Sequence, residues 1–196
     1  MRLATPDLER ICRDYLATLQ AIDRQEPHAK ENAEWMRIEL YDQTVRETSG
    51  GAMLQFFQRS EIQNMDFVRG RIGLEADEIH QSVTIAHPRR RPGLRDAAAA
   101  ALALARRAAI TAVAGRNGRR AYDIGRFRLG GEVHQWLYDR HSIAELLRSC
   151  GFVDPLIRTA TDSRIPGWSS FHLDASPDGM PIKRDSMYVE GIRPAG

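Results

Sequence analysis

Cysteine is nearly absent from this sequence, and its scarcity removes several function classes at once. Two cysteines, Cys12 and Cys150, stand 138 positions apart. No Cys/His cluster has metal-ligand spacing, so a zinc ribbon or finger is excluded. Both cysteines fall on apolar helical stripes, which predicts buried free thiols in a reducing cytoplasm and no disulfide. A charge excess is also missing. The net charge is +2, which offers no composition-based case for nucleic acid. Residues 1–20 hold no apolar core of the length a signal peptide needs. Above all, no Gly-rich turn follows a strand and opens a helix, the arrangement by which α/β folds grip nucleotides.

Long apolar runs are scarce too. The one such run, Ala97–Ala114, has Arg106 and Arg107 at its centre. Each arginine there would cost about 2.5–3.5 kcal/mol in a bilayer. A buried or dimer-forming helix fits this pattern better than a membrane span, so the expectation is a cytoplasmic protein without membrane insertion.

What remains reads as an α/β chain. Leu3-Ala4-Thr5 is a short strand, followed by a helix capped by Thr5 with Pro6 at its first position. Leu8, Ile11, Cys12, Tyr15, Leu16, Leu19 and Ile22 repeat at helical spacing, and Pro27 lies beyond the helix end. A second helix over 30–48 has Trp35, Ile38, Tyr41 and Val45 as its apolar stripe, Asp42 and Arg46 pairing one turn apart, and Gly50-Gly51 as its stop. One or two more helices over 52–80 bring Met53, Phe56, Phe57 and Val68 to a core or an oligomer interface. The basic loop His87–Gly93 is a solvated connector or an anion contact. The alanine-rich helix over 96–114 ends at Gly115-Arg116-Asn117-Gly118. The sharpest local signal is Ser142-Ile143-Ala144-Glu145, a capping box that opens a helix closed by Gly151 and Phe152. Pro155–Ala160 and Ser186–Arg193 read as strands, separated by a loop rich in Pro, Gly, Ser and Asp.

This order resembles the C-terminal half of class I S-adenosylmethionine-dependent methyltransferases. Leu3–Leu8 is similar to that family's fifth strand, Ser142–Phe152 to its "LL-x-x-x-GF" helix, and Met187–Pro194 to its seventh strand. His134–Arg140, Ser163–Pro166 and Pro177–Gly179 resemble a bacterial subgroup that accompanies surface-polysaccharide and glycosyltransferase genes. The resemblance implies half of a Rossmann-like methyltransferase sheet: three strands, the last antiparallel to the others, in a three-layer arrangement. Residues 1–22 supply a strand and helix, 23–130 a mostly helical insertion, and 131–196 a helix and two closing strands. It also implies methyl transfer to a small-molecule or sugar hydroxyl in polysaccharide biosynthesis. The segments that hold S-adenosylmethionine in the family have no counterpart in this sequence. No cofactor-binding residue carries over, and the chain alone is expected neither to bind S-adenosylmethionine nor to be active. A complementary N-terminal half, or a second copy of the chain at an open edge of the first strand, is the expected partner. The competing reading is a non-catalytic binding or oligomerisation module derived from the same fold.

Candidate site residues follow from strand ends and side-chain chemistry. Asp7 stands at the carboxyl end of the first strand, where ligands of open α/β sheets bind. It orients or deprotonates a hydroxyl there, or is simply a carboxylate favoured at a helix N-terminus. His134 suits proton removal from an acceptor hydroxyl, or is a structural histidine with a satisfied hydrogen bond. Trp136 and Tyr138 form one wall of a sugar site, or pack in the core. Arg164 and Trp168 contact an anionic or sugar substrate, or pin a surface loop.

Overall fold

A computed structural model of the chain describes residues 1–84 and 94–194. The basic loop His87–Gly93 lies outside these residues. Among the described residues the chain forms three strands and seven helices, a mixed α/β arrangement.

The sheet forms as the patterning requires. Strand β1 (Arg2–Pro6) pairs with β3 (Ser186–Ile192), and β3 pairs with β2 (Val153–Arg158), both antiparallel. The spatial order is β1-β3-β2, so β3 is central and antiparallel to both flanks. Central position explains its composition: Met187, Tyr188, Val189 and Glu190 are all buried. Met1 and Gly191 exchange both backbone hydrogen bonds, at 2.8 and 3.0 Å. This sets the alternation: odd residues of β1 bond to β3, and the N–H and C=O groups of Arg2 and Ala4 point to the open side. The open edge is short, because Leu8 N–H donates to the Tyr138 carbonyl at 3.2 Å just past the strand.

On one sheet face Leu3, Met187 and Val189 meet Ile143 and Leu147 of helix α7 (Arg140–Ser149), with Tyr138 and Phe152 at the margin. The expected capping box is displaced by one turn. Asp139 is the N-cap, accepting from the backbone N–H groups of His141 and Ser142, and the Ser142 hydroxyl accepts from the Asp139 N–H. A carboxylate at the N-cap also answers the helix dipole, which a serine there does not. The other end matches expectation. Gly151 takes φ 84°, its N–H bonds to Arg148, and the Phe152 N–H bonds to Leu147.

The opposite sheet face is covered by the loop over 159–185, including a 3-10 turn at Trp168–Phe171, and not by a helix. The arrangement is therefore helix, sheet and loop, which corrects the expected three layers. Arg2 fastens that loop. Its guanidinium donates to Asp174 at 2.6 Å, to Glu190 at 2.8 Å and to the carbonyls of Asp162 and Thr159. It also lies between the rings of Trp168 and Tyr188, 5.0 and 5.3 Å from their centroids. A buried cation needs this many partners to offset its lost hydration.

Helices α1 (Leu8–Asp23), α2 (Ala29–Val45), α3 (Gly51–Phe57), α4 (Met65–Ile72) and α5 (Glu75–Thr84) build a separate core. Ile11, Trp35, Met36, Phe56, Phe57, Val68 and Ile72 fill it, with the Trp35 and Phe56 rings 4.9 Å apart. Phe56 and Phe57 are thus core residues, unavailable to an oligomer interface. The cap of α1 is Asp7, which accepts from Arg10 N–H; Thr5 and Pro6 stay in the strand. Cys12 and Cys150 are exposed free thiols, contrary to the expected burial. On α1 the buried positions are Ile11 and Thr18, which turns Cys12 and Leu16 outward.

On α2 the buried face runs through Ala33, Met36, Glu39 and Asp42, while Tyr41 and Val45 are exposed. Apolar periodicity misplaces this face because its buried acids are paired. Glu39 accepts from Arg71 and from the Trp35 indole. Asp42 pairs with Arg46 at 2.5 Å and accepts from the Ala52 N–H at 2.6 Å, capping α3 from outside that helix. Gly51 has φ 52°, and a Cβ there would sit 2.3 Å from Asp42 Oδ1.

Helix α6 (Leu94–Arg128) is broken at Gly115, which has φ 68° and ψ −173°. The break was legible in the sequence, but the helical arm beyond it was not. Arg107 pairs with Asp123 at 3.0 Å and Arg106 with the Tyr122 hydroxyl at 3.4 Å, so the arms lie antiparallel as a hairpin. The first arm is not buried. Leu102, Leu104 and Val113 are 63%, 71% and 91% exposed.

Candidate functional site

A cavity of about 500 Å³ opens beside the carboxyl end of β1. The strand supplies Ala4, Thr5 and Pro6. The start of β3 supplies Asp185 and Ser186 across from them, and the helical body supplies Gln43, Arg46 and Glu75. His134, Lys183 and Glu132 add further titratable side chains to the lining.

His134 is held by its backbone, whose N–H donates to the Gln43 carbonyl at 2.9 Å. Burial pushes its imidazole below the ordinary range, and the nearby Arg46 and Lys183 charges push the same way. The ring is therefore neutral at neutral pH, the form that accepts a proton. Asp185 is shifted oppositely. Burial raises its carboxyl, the Glu39 charge adds to this, and Lys183 partly offsets both. A base held neutral and an acid biased toward its protonated form line one cavity, a pattern common where proton transfer occurs.

Arg46 supplies a second feature. Its guanidinium pairs with Asp42 and with Glu132 at 3.2 Å, and its side chain is only 9% exposed. Its Nε–H is buried and has no hydrogen-bond partner among the described residues. A buried donor left this way is costly.

The residues predicted from sequence are not gathered at one place. His134 lines this cavity. Asp7 is adjacent in sequence to its β1 wall, but its carboxylate caps α1 and is not part of the lining. Tyr138 packs on the α7 side of the sheet. Trp136 is 66% exposed, so it is not core, and it does not line this cavity. The Arg164 guanidinium is committed to Asp154 at 2.6 Å and to the Glu190 carbonyl at 3.1 Å. Trp168 lines a different cavity of about 280 Å³ under the long loop, where its indole donates to Asp174 at 3.2 Å. Arg46, Lys183 and Asp185 were missed. Arg46 and Asp185 come from segments that read as packing or loop, and only the tertiary fold aims them at His134.

A cofactor grip at the turn from β1 into α1 would need free backbone amides. The turn is Pro6-Asp7, without glycine. The Asp7 N–H donates to the Asp185 carbonyl at 2.9 Å, the Leu8 N–H to Tyr138, and the Arg10 N–H to Asp7 itself. With these amides satisfied internally, the turn does not fit the carboxylate or ribose of S-adenosylmethionine. Among the described residues no group of three or more His, Cys, Asp or Glu is placed to hold a metal ion. Comparison with protein-family models, curated proteins and solved structures gave no match.

Proposed function

We propose that this chain forms the acceptor-substrate side of a class I methyltransferase-like α/β sheet and binds a polyhydroxylated small molecule, a sugar among them, beside the carboxyl end of β1. One observation carries this reading: the order β1-β3-β2, with the central strand antiparallel to both neighbours and a polar cavity at the end of β1. In the family the fifth strand lies next to the seventh, as β1 lies next to β3 here. The cavity suits hydroxyl recognition, because its lining includes carboxylates, cations, an amide and hydroxyl groups beside apolar side chains.

In this reading His134 accepts the proton of the acceptor hydroxyl, Asp185 hydrogen-bonds a neighbouring hydroxyl, and the Arg46 and Lys183 cations fix the ligand's orientation. S-adenosylmethionine is the family's methyl donor. The β1–α1 turn does not fit it, so no step is routed through it, and this chain alone is assigned no methyl transfer. The protein acts in the cytoplasm, together with a partner that completes the sheet. A second reading, a non-catalytic binding module, draws on the exposed outer face of the first arm of α6.

A thermal-shift screen of monosaccharides and nucleotide sugars tests the proposal. A hit is expected to lose its effect in His134→Ala and Arg46→Lys, and to keep it in Trp136→Ala. Hits unaffected by the first two substitutions would place binding elsewhere.

A further inference from the structure

The feature that the proposed function leaves unused is the α6 hairpin. Residues 96–128 carry seven arginines and two aspartates, a charge of +5 in a chain whose net charge is +2. The rest of the chain is therefore net acidic, and the basic charge is concentrated on one projecting element. Arg107, Arg116, Arg119 and Arg120 line an open groove of about 730 Å³ between the hairpin and the α2–α3 connection. Only two acids answer them there: Asp123 pairs with Arg107 at 3.0 Å and with Arg119 at 3.8 Å, and Glu47 pairs with Arg120 at 3.2 Å. Arg116 has no ion-pair partner among the described residues.

The first arm presents the opposite chemistry. At 100° per residue, Leu102, Leu104, Ala105, Ala109, Ala112 and Val113 fall within half of its circumference. No charged residue shares that half, and all six are exposed. Arg107 lies on the side that faces the second arm, and Arg106 stands at the rim. An uncovered apolar face of this length marks an interaction surface.

We propose that the α6 hairpin lies on an anionic phospholipid surface, with the outer face of its first arm at the headgroup–acyl boundary, Arg106 at the rim of that face on a lipid phosphate, and the second arm's arginines adding attraction at longer range. Charge decides among the occupants. A second copy docked arm to arm would bring two arginine clusters together, whereas an anionic leaflet complements them. Spanning the bilayer is disfavoured, because Arg106 and Arg107 would sit at its centre and the chain reverses at Gly115 into an arm richer in arginine. A helix with one apolar half and arginine at its rim lies in the interface plane.

The test is flotation of the full chain with phosphatidylcholine vesicles containing phosphatidylglycerol, compared with phosphatidylcholine alone. The expected result is strong preference for the anionic vesicles. Arg119→Glu/Arg120→Glu and Val113→Asp should each weaken it by about tenfold or more, with unchanged circular dichroism because these side chains are exposed. Equal binding to both vesicle types, or none to either, overturns the proposal. So does a concentration-dependent dimer abolished by Val113→Asp, which makes a second copy the occupant. Binding to duplex DNA that survives Val113→Asp, without vesicle binding, overturns it in favour of nucleic acid. None of these outcomes depends on the His134 cavity.

Discussion

Replacing Arg2 by methionine should detach the long loop from the sheet and cost a large part of the protein's stability. The Arg2 and Glu190 side chains are each 3% exposed, and that of Asp174 is 14% exposed. Methionine fills much of the same volume but leaves Asp174 without its cation and takes the nearest one from Glu190, which keeps Arg164 and Arg158 at 3.5 and 3.7 Å. Removing one partner of a buried pair typically costs about 3–5 kcal/mol. Glu190 keeps hydrogen bonds from the Ser163 hydroxyl and the Arg164 N–H, which favours the lower end, about 3 kcal/mol. For a chain of this size that lowers Tm by about 6–12 °C. Urea denaturation measures the loss, and trypsin cleavage after Lys183 reports the freed loop. The double variant Arg2→Met/Glu190→Gln should recover part of the loss, because it removes a buried charge that has lost its nearest cation. A cost below about 1 kcal/mol would refute the argument, since it would class the network with solvent-screened surface pairs.

The acid limb of stability tests the same network. Burial opposes ionisation of Glu190, but hydrogen bonds from Ser163, the Arg164 N–H and Arg2 outweigh it and hold the carboxyl at about 2. A depressed carboxyl stabilises the fold above its unfolded value near 4.5, so this contribution should fade as pH falls toward about 2, and at higher pH in Arg2→Met. Asp185 has the opposite sign. Its folded carboxyl is raised by burial, so Asp185→Asn should increase Tm at pH 7, and the gain should vanish below pH 3.8, where both states are protonated. Gly51→Ala should destabilise by about 1–3 kcal/mol in a denaturant titration, because it strains a left-handed backbone and meets Asp42. Asp139→Ala should lower Tm while Glu145→Ala leaves it unchanged, because the N-cap is Asp139.

The elements that could be read from sequence are those whose signals are local. Gly151-Phe152 closes α7 through two backbone bonds that depend only on neighbouring residues, and Gly115 breaks α6 through its own φ. The closing strand was legible because Met187, Tyr188 and Val189 lie in one short run. The α2 face was misread because Glu39 and Asp42 count as polar, and only Arg71 and Arg46, remote or one turn away, make their burial possible. The alanine run reads as core by composition, yet no described element covers its outer face. The candidate site was least legible: one of its titratable residues, His134, was named from chemistry. Arg46, Lys183 and Asp185 reach the same cavity from segments as far as 139 positions apart, a juxtaposition that no spacing rule encodes.

The most direct test of the central reading follows the His134 imidazole by NMR while the chain is titrated first with S-adenosylmethionine and then with a hydroxylated ligand from the screen. The account predicts no change with S-adenosylmethionine, then a saturable shift of the His134 resonances with the hydroxylated ligand. It also predicts that the ring titrates below its ordinary value of 6.5 in the free protein. Micromolar S-adenosylmethionine binding that shifts residues of the β1–α1 turn, or a ligand that saturates without moving His134, would contradict it.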